Sequence, residues 1–287
     1  EAEHLQYLGR IKNFAFQLGF RLDNLEINTY SNFKAAGSYK QNFSQTYLNF
    51  QNSGNNKVAA GLGTAFEYIH YGPAIRTVSE VKGNFTNLKS YAYLKYNSLN
   101  QIFYPTRGLK LNMELAHVYN QKPRITELKN GQPVPGTLNF DNYSRLYFDG
   151  TIFAALNTKF NFFTGLQAGI NFTSNRNELN NFQIGGINGS FRNQVKFAGL
   201  QEATLHSSSV GVLQLGLRYN PVNNFYLIGR VNGLVKDFIT GTSGISGLTG
   251  YALTFAYRTP IGPLELSAMY SDQSRRLQSY VLFGITF

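Results

Sequence analysis

Hydrophobic and polar residues alternate with a period of two along most of the chain. Between positions 14 and 22 every second residue is Phe or Leu, and the residues between them are Ala, Gln, Gly and Arg. The same alternation recurs at 109–115, 251–257 and 281–287, whereas no stretch shows a convincing period of 3.6 residues or a heptad. A period of two predicts β-strands that present two different faces.

The alternation predicts an all-β protein of fourteen antiparallel strands. They are expected at 13–23, 25–34, 41–51, 57–71, 74–83, 86–98, 106–120, 143–156, 159–172, 208–220, 223–236, 248–259, 262–272 and 277–287. No break in composition divides the chain, so residues 1–287 are expected to form one domain, as a complete protein or as the carboxy-terminal part of a longer one.

The predicted connections differ in length between the two ends of the strands. The connections 35–40, 72–73, 99–105, 157–158, 221–222 and 260–261 fall on the side of residue 287, and they are short or turn-like. The two longest connections, 121–142 and 173–207, fall on the opposite side. Short turns at one end and long loops at the other are typical of outer-membrane barrels.

The apolar face of the strands has two alternative interpretations. In a soluble sandwich it would point inward, whereas in a membrane barrel it would point to lipid and the polar face would line a lumen. The polar face carries Gln17, Arg21, Glu67, Lys110, Glu114, Arg145, Asp149, Asn161, Gln167, Arg230, Arg258 and Glu265. Strands of about ten residues are long enough for a tilted membrane span. The pattern therefore favours a transmembrane antiparallel β-barrel.

The amino-acid composition supports a barrel and limits the classes of binding partner that are expected. Charged residues make up 14% of the chain, and aromatic residues 15%, all of them Phe or Tyr; soluble globular domains average about 25% charged residues. The net charge of +11 is spread without a basic block, so we expect contact with outer-membrane lipid and lipopolysaccharide and no nucleic-acid binding. Cysteine is absent.

The final strand places Phe283, Ile285 and Phe287 on one face. A barrel has no free edge, so this strand is expected to pair with the first strand and close the sheet. An aromatic terminal strand resembles the sorting signal that bacterial outer-membrane barrels present to the barrel assembly machinery. The expected location is therefore the outer membrane of a Gram-negative bacterium.

A turn between two strands reads Tyr104-Pro105-Thr106-Arg107-Gly108. Pro105 restricts its own φ angle, Gly108 permits a positive φ or a close approach, and Arg107 can bind carbonyl groups of the turn. This aromatic-Pro-Thr-Arg-Gly turn resembles the superfamily of outer-membrane assembly factors and two-partner secretion transporters. The resemblance implies a periplasmic turn.

The long connection around residues 182–200 resembles a second feature of that superfamily. There, an extracellular loop before the last five strands folds into the lumen, and an Arg at its tip pairs with an acidic residue of the wall. Five predicted strands follow the loop in this chain. The family motif is altered to Phe191-Arg192-Asn193, and the resemblance implies Arg192 as the lumen anchor, with Glu265 as the expected partner.

Three stretches resemble one branch of the superfamily, the carboxy-terminal barrel of bacterial patatin-like phospholipases. They are Ile184-Gly185-Gly186, Phe197-Ala198-Gly199-Leu200 and the hairpin at 259–266. The family barrel has sixteen strands. The resemblance implies a barrel that anchors, displays or translocates an attached patatin-like hydrolase. A barrel of the same superfamily in outer-membrane protein assembly, acting alone or in a complex, and a passive channel remain alternatives.

The chain itself contains no recognisable catalytic motif. A patatin domain needs Gly-x-Ser-x-Gly, which occurs nowhere in the sequence, and there is no His-Glu-x-x-His or Walker loop. We therefore predict no catalytic residue, cofactor or metal site, and place any hydrolase chemistry in an upstream domain or a partner chain.

Overall fold

The computed structural model describes residues 2–11, 14–52, 57–75, 79–136, 138–172, 177–189, 192–239 and 246–284. Seventeen strands occur within these residues: β1 (Ala2–Ile11), β2 (Phe14–Ser31), β3 (Lys34–Asn52), β4 (Val58–Ile75), β5 (Ser79–Asn97), β6 (Gly108–Lys129), β7 (Gln132–Val134), β8 (Tyr143–Ala155), β9 (Phe160–Phe172), β10 (Phe182–Ile184), β11 (Gln194–Val195), β12 (Leu205–Ser207), β13 (Ser209–Tyr219), β14 (Phe225–Lys236), β15 (Ser246–Thr259), β16 (Gly262–Ser271) and β17 (Arg276–Phe283).

One large antiparallel sheet holds fourteen of these strands, so the predicted all-β barrel fold is confirmed. Thirteen strands follow one another in the order β1–β6, β8, β9 and β13–β17, and β7 pairs with the far end of β6. The remaining strands, β10 to β12, form a separate small sheet inside the long connection between β9 and β13. None of the described residues form a helix that is long and apolar enough to cross a membrane.

The alternation of the strands places apolar side chains outside and polar ones inside. On β15, Leu253 and Phe255 are exposed, whereas Thr254 between them is fully buried. On β16, Leu264 and Leu266 are exposed and Glu265 is buried. A soluble sandwich would show the opposite arrangement. The exposed apolar face and the buried polar face are those of a membrane barrel, as predicted.

The predicted strand boundaries are wrong in the first third of the chain. The two strands predicted at 13–23 and 25–34 are replaced by the single strand β2, the predicted connection 35–40 lies inside β3, and the predicted turn at 72–73 lies inside β4. These strands have 18 or 19 residues, more than the roughly ten that span a membrane. In their outer parts, buried apolar residues such as Ile27, Phe43 and Ile69 lie on the lumen face, so the alternation seen elsewhere is lost although the hydrogen bonding continues.

The sheet curls around a lumen, but its two edges do not meet. Ala198 of the long connection lies against β14 and β15, while Arg192 of the same connection reaches Glu67 on β4. Within the described residues β1 and β17 are the two edges of the sheet and do not pair, so the expected closure is not observed. Phe283 pairs with Leu264 of β16. Ile285 and Phe287 lie outside the described residues, and their sorting role stays a prediction.

Glycine on the wall allows the long connection to approach the sheet closely. A Cβ atom added to Gly250 of β15 would lie only 2.0 Å from the carbonyl oxygen of Ala198. Two backbone segments would then have to separate, because neither is the flexible end of a side chain. A Cβ added to Gly233 of β14 would meet nothing within 4 Å.

We predict that Gly250→Ala destabilises the protein whereas Gly233→Ala does not. The overpacked methyl group should lower the free energy of unfolding by about 1–3 kcal/mol. Urea unfolding of the detergent-solubilised protein measures this difference, and proteolysis should cut the segment 177–208 faster in Gly250→Ala. Equal unfolding midpoints for the two variants would contradict the close approach.

Candidate functional site

The described part of the connection between β9 and β13 folds into the lumen and is called here the lumen loop (residues 177–189 and 192–208). Its three short strands pair with one another, β10 with β11 in parallel and β10 with β12 antiparallel. The loop buries five apolar side chains completely against four wall residues: Phe182, Ile184, Val195, Phe197 and Leu200 against Val210, Val212, Leu234 and Leu248. The predicted extracellular loop folded into the lumen is thus present in the structure.

Polar contacts tie the tip of the lumen loop to several wall strands. The Nη1 atom of Arg145 donates a hydrogen bond to Oδ1 of Asn193 at 2.7 Å. The backbone amide of Lys196 donates a hydrogen bond to Oε1 of Gln167 at 2.8 Å. The side-chain ammonium group of Lys196 lies 3.2 Å from the carboxylate of Asp149. Arg145 and Gln167 are buried, so the loop supplies partners that their polar groups need.

Arg192 makes the most buried ionic contact of the lumen loop. Its Nη2 atom lies 2.8 Å from Oε2 of Glu67 on β4, and the two side chains are 9% and 1% exposed. Gln45 donates to the other carboxylate oxygen at 2.9 Å, and the ammonium group of Lys89 lies 3.8 Å from it. The guanidinium also lies over the ring of Phe43. Together these contacts give the buried charges of Arg192 and Glu67 the partners that they need away from water.

The partner predicted for Arg192 is therefore wrong. Glu265, the expected acidic residue, contacts a different segment, and Glu67 takes its place. The sequence identified both carboxylates as lumen-facing. The path of the loop across the lumen brings Arg192 to Glu67 rather than to Glu265. Burial alone would lower the pKa of Arg192, yet the adjacent Glu67 carboxylate more than offsets this and raises that pKa above its usual value.

The turn 98–107 enters the lumen from the opposite end and is called here the floor turn. Tyr104 at its tip is 8% exposed and stacks on Tyr226 with ring centroids 4.2 Å apart. Its hydroxyl donates to Oε1 of Glu265 at 2.9 Å. Arg218 donates to the carbonyl of Pro105 at 2.7 Å. The turn connects β5 and β6, whereas the residues that it contacts are on β13, β14 and β16. The turn therefore crosses the lumen to reach the opposite wall.

The floor turn is stiffened by its own side chains. Asn100 accepts from the backbone amides of Thr106 and Arg107 and donates to the hydroxyl of Thr106 at 2.8 Å. Gly108 has a φ of +118°, and an added Cβ would lie 2.4 Å from the carbonyl of Ser98. The sequence suggested that Arg107 binds carbonyl groups of the turn. The side chain of Arg107 is exposed, however, and the side chain of Asn100 makes the hydrogen bonds that hold the turn.

The sequence predicted the stiff turn but missed what Tyr104 does. Tyr104 has a φ of +50°, which is uncommon for a bulky residue and points its ring into the lumen. Burial and the neighbouring Glu265 carboxylate raise the pKa of Tyr104, so its hydroxyl remains a donor at physiological pH. Two successive aromatic residues directly before a proline, Phe103 and Tyr104, in a turn between strands are the signal that could have indicated this role.

Two of the cavities among the described residues lie beside the contacts that hold these insertions. One of about 330 Å³ is bordered by Glu67, Lys89 and Arg192, with the rings of Tyr47 and Tyr91 on its wall. The other, of about 270 Å³, lies beside the floor turn and is bordered by Tyr104, Arg218, Arg230 and Glu265 among others. Each cavity therefore adjoins one of the two contacts that hold an insertion in place.

Exposed apolar strands around a polar lumen define an outer-membrane β-barrel with an inserted loop. The chain belongs to the OMP85 superfamily, whose model matches residues 8–287. The predicted resemblance to the superfamily is thereby confirmed. No curated protein matches the chain.

Solved structures share this fold at low sequence identity. BamA from Haemophilus ducreyi lacking POTRA domains 1–3 is 12% identical, with a TM-score of 0.64 over 97% of this chain and 60% of that one. CdiB from Acinetobacter baumannii is 11% identical, with a TM-score of 0.54 over 99% of this chain and 46% of that one. CdiB from Escherichia coli is 10% identical, with a TM-score of 0.53 over 95% and 48%. The chain thus spans about half to three fifths of these relatives.

We predict that Glu67→Gln loosens the lumen loop. The change leaves Arg192 buried without its charged partner, and breaking one side of a buried pair is strongly destabilising. The chain has no cysteine, so Ala198→Cys supplies a single reporter at a loop position that is 1% exposed. Labelling of this thiol by a polar maleimide should be about tenfold faster with Glu67→Gln.

Glu114→Gln is the matched control for this measurement. It removes a carboxylate from the same cavity, where Glu114 pairs with Lys89 rather than with the loop. Labelling in this control should match the parent. Equal labelling rates in the two variants would show that the Arg192 contact does not hold the loop.

We predict that Tyr104 and Glu265 are energetically coupled. A double-mutant cycle of Tyr104→Phe and Glu265→Gln, followed by urea unfolding, should give a coupling of about 1 kcal/mol or more, because the hydrogen bond involves a charged acceptor. Additive effects of the two changes would mean that the bond contributes nothing to the floor turn.

Proposed function

We propose that the chain is the membrane module of an outer-membrane assembly or secretion system, with a lumen kept occupied at rest. The buried contact between Arg192 and Glu67 carries this proposal. It joins the tip of a long loop to the wall across the lumen, which a simple pore does not need. The superfamily that the sequence resembles includes assembly factors and two-partner secretion transporters, and the shared fold with BamA and CdiB supports the same direction.

The two insertions suit a barrel that opens only when a partner or a polypeptide displaces them. The lumen loop and the floor turn enter from opposite ends, and each is held by a carboxylate of the wall, Glu67 or Glu265. A buried charge cannot be released without another partner or water to replace the lost contact. The incoming segment would supply that replacement.

A second candidate is a barrel that anchors, displays or translocates an attached patatin-like hydrolase. The stretch Ile184-Gly185-Gly186 favours it, because this branch-specific resemblance falls where the backbone demands glycine. Gly185 has a φ of +130°, and an added Cβ would lie 1.9 Å from the carbonyl of Gln201. In this proposal the hydrolase activity belongs to a domain outside residues 1–287.

A passive channel is the least favoured function, and its conductance tests the proposal. We predict that the detergent-purified chain gives little steady conductance in planar bilayers, because the lumen loop and the floor turn both cross the lumen. The double variant Glu67→Gln/Tyr104→Ala should conduct in frequent, large openings, whereas Glu114→Gln should behave as the parent. A large steady conductance of the unmodified chain would overturn the resting-plug proposal.

The mass of the native polypeptide separates the two leading candidates. The chain accounts for 32.2 kDa. A much larger polypeptide from outer membranes, with an upstream Ser/Asp dyad and lipase activity, would support the attached hydrolase. A polypeptide with an upstream region that binds unfolded outer-membrane proteins, and no such dyad, would support assembly or secretion.

A further inference from the structure

The lipid-facing surface of β4, β5 and β6 changes character along the strands. Near the end with the short turns, Leu62 and Leu115 occupy one row across the three strands and are 63% and 55% exposed. Four residues further along, Phe66, Leu88 and Tyr119 form another row in register. The row between these two carries the exposed polar residues Thr64, Ser90 and His117, and the apolar surface band ends beyond it with aromatic side chains, as at a membrane interface.

Basic residues follow directly beyond that band. Arg124 aligns with Asn84, and Asn84 aligns with His70, so these three lie in one row. Lys122 lies two residues nearer to the apolar band, and Lys82 lies two residues further from it. We call His70, Lys82, Lys122 and Arg124 the basic rim patch.

The register shows that the basic rim patch faces outward. Ile69, Tyr71 and Phe85 are almost completely buried and point into the lumen. Their neighbours along the strands must therefore point to the opposite face. Lys122 and Arg124 are indeed exposed, as is Lys82.

Negative charge is absent from the rows of the patch. Within the described part of β4, β5 and β6, the rows that contain Lys122, Arg124 and Lys82 include no Asp or Glu. Glu80 lies two residues beyond Lys82 on the same face of β5 and is the nearest outward carboxylate among the described residues of these three strands, so the positive charge is concentrated at Lys122 and Arg124. The local field is therefore positive, where a membrane carries its phosphate groups.

We propose that the basic rim patch binds the phosphate groups of a phosphorylated glycolipid in the outer leaflet. Arginine and lysine are the side chains that bind phosphate best, and the apolar rows below would contact the acyl chains. The patch extends about 13 Å along the strands at about 3.3 Å per residue, and spans three neighbouring strands. The long-loop end of the strands, which is the outer end in the superfamily, carries the patch. This inference concerns the lipid surface and is independent of what passes through the lumen.

Titration with lipid A tests the proposal on the full chain in zwitterionic detergent. Native mass spectrometry counts bound diphosphorylated lipid A for the parent, for Lys122→Gln/Arg124→Gln and for Lys110→Gln/Lys159→Gln. The last variant removes the same charge from exposed positions at the opposite end of the strands. Binding should weaken by about tenfold only in the first variant, because only that one loses phosphate contacts. Lys122→Arg/Arg124→Lys, which keeps both charges, should retain binding.

Three results would overturn the proposal. The first is equal affinity of the parent and Lys122→Gln/Arg124→Gln. The second is equal binding of dephosphorylated lipid A, which would leave only a hydrophobic contact. The third is complete competition by millimolar inorganic phosphate, which would identify a site for the free ion. Heat-modifiable migration in gels verifies that every variant remains folded.

Discussion

Backbone hydrogen bonding in a medium without water is the constraint from which the rest of this structure follows. Peptide groups within the hydrocarbon need partners in a neighbouring strand, and one continuous antiparallel sheet supplies them throughout the described strands except along the outer edges of β1 and β17. Alternation then sends one half of the side chains to lipid and the other half to the lumen. The half that faces lipid must be apolar, and the polar residues of the protein are concentrated inside.

A polar lumen needs partners of its own, and the lumen loop supplies many of them. Glu67, Gln167 and Asn232 are wall residues whose side chains bind loop groups. The loop in turn buries an apolar cluster around Phe182 and Phe197 against the wall. The loop therefore packs like a small core within the barrel, and an ion pair and hydrogen bonds hold it to the wall.

The floor turn applies the same principle from the other end with different chemistry. Tyr104 offers a neutral hydroxyl to Glu265, whereas Arg192 offers a full charge to Glu67. The cavities left beside the two contacts show that neither insertion fills the lumen completely. Two partial obstructions with polar anchors are what a barrel needs if its passage is to be closed at rest and opened by a partner.

The sequence by itself determined the class of fold, the lumen-facing positions of Glu67 and Glu265, and the turn at Pro105 and Gly108. These features depend on period two and on local backbone restrictions, which operate between neighbouring residues. Arg192 was indicated differently, by the resemblance of its loop to the superfamily. The tertiary structure alone decided that Arg192 meets Glu67, that Tyr104 meets Glu265, that β2 and β3 continue past the predicted breaks, and that β1 and β17 remain apart. The two pairings depend on how the curved sheet brings together residues more than a hundred positions apart. The length of β2 and β3 depends on hydrogen bonding that continues where the lumen face is also apolar. Hydrophobic alternation shows which side of the sheet a residue faces. It does not show which distant residue lies across the lumen from it or where a strand ends.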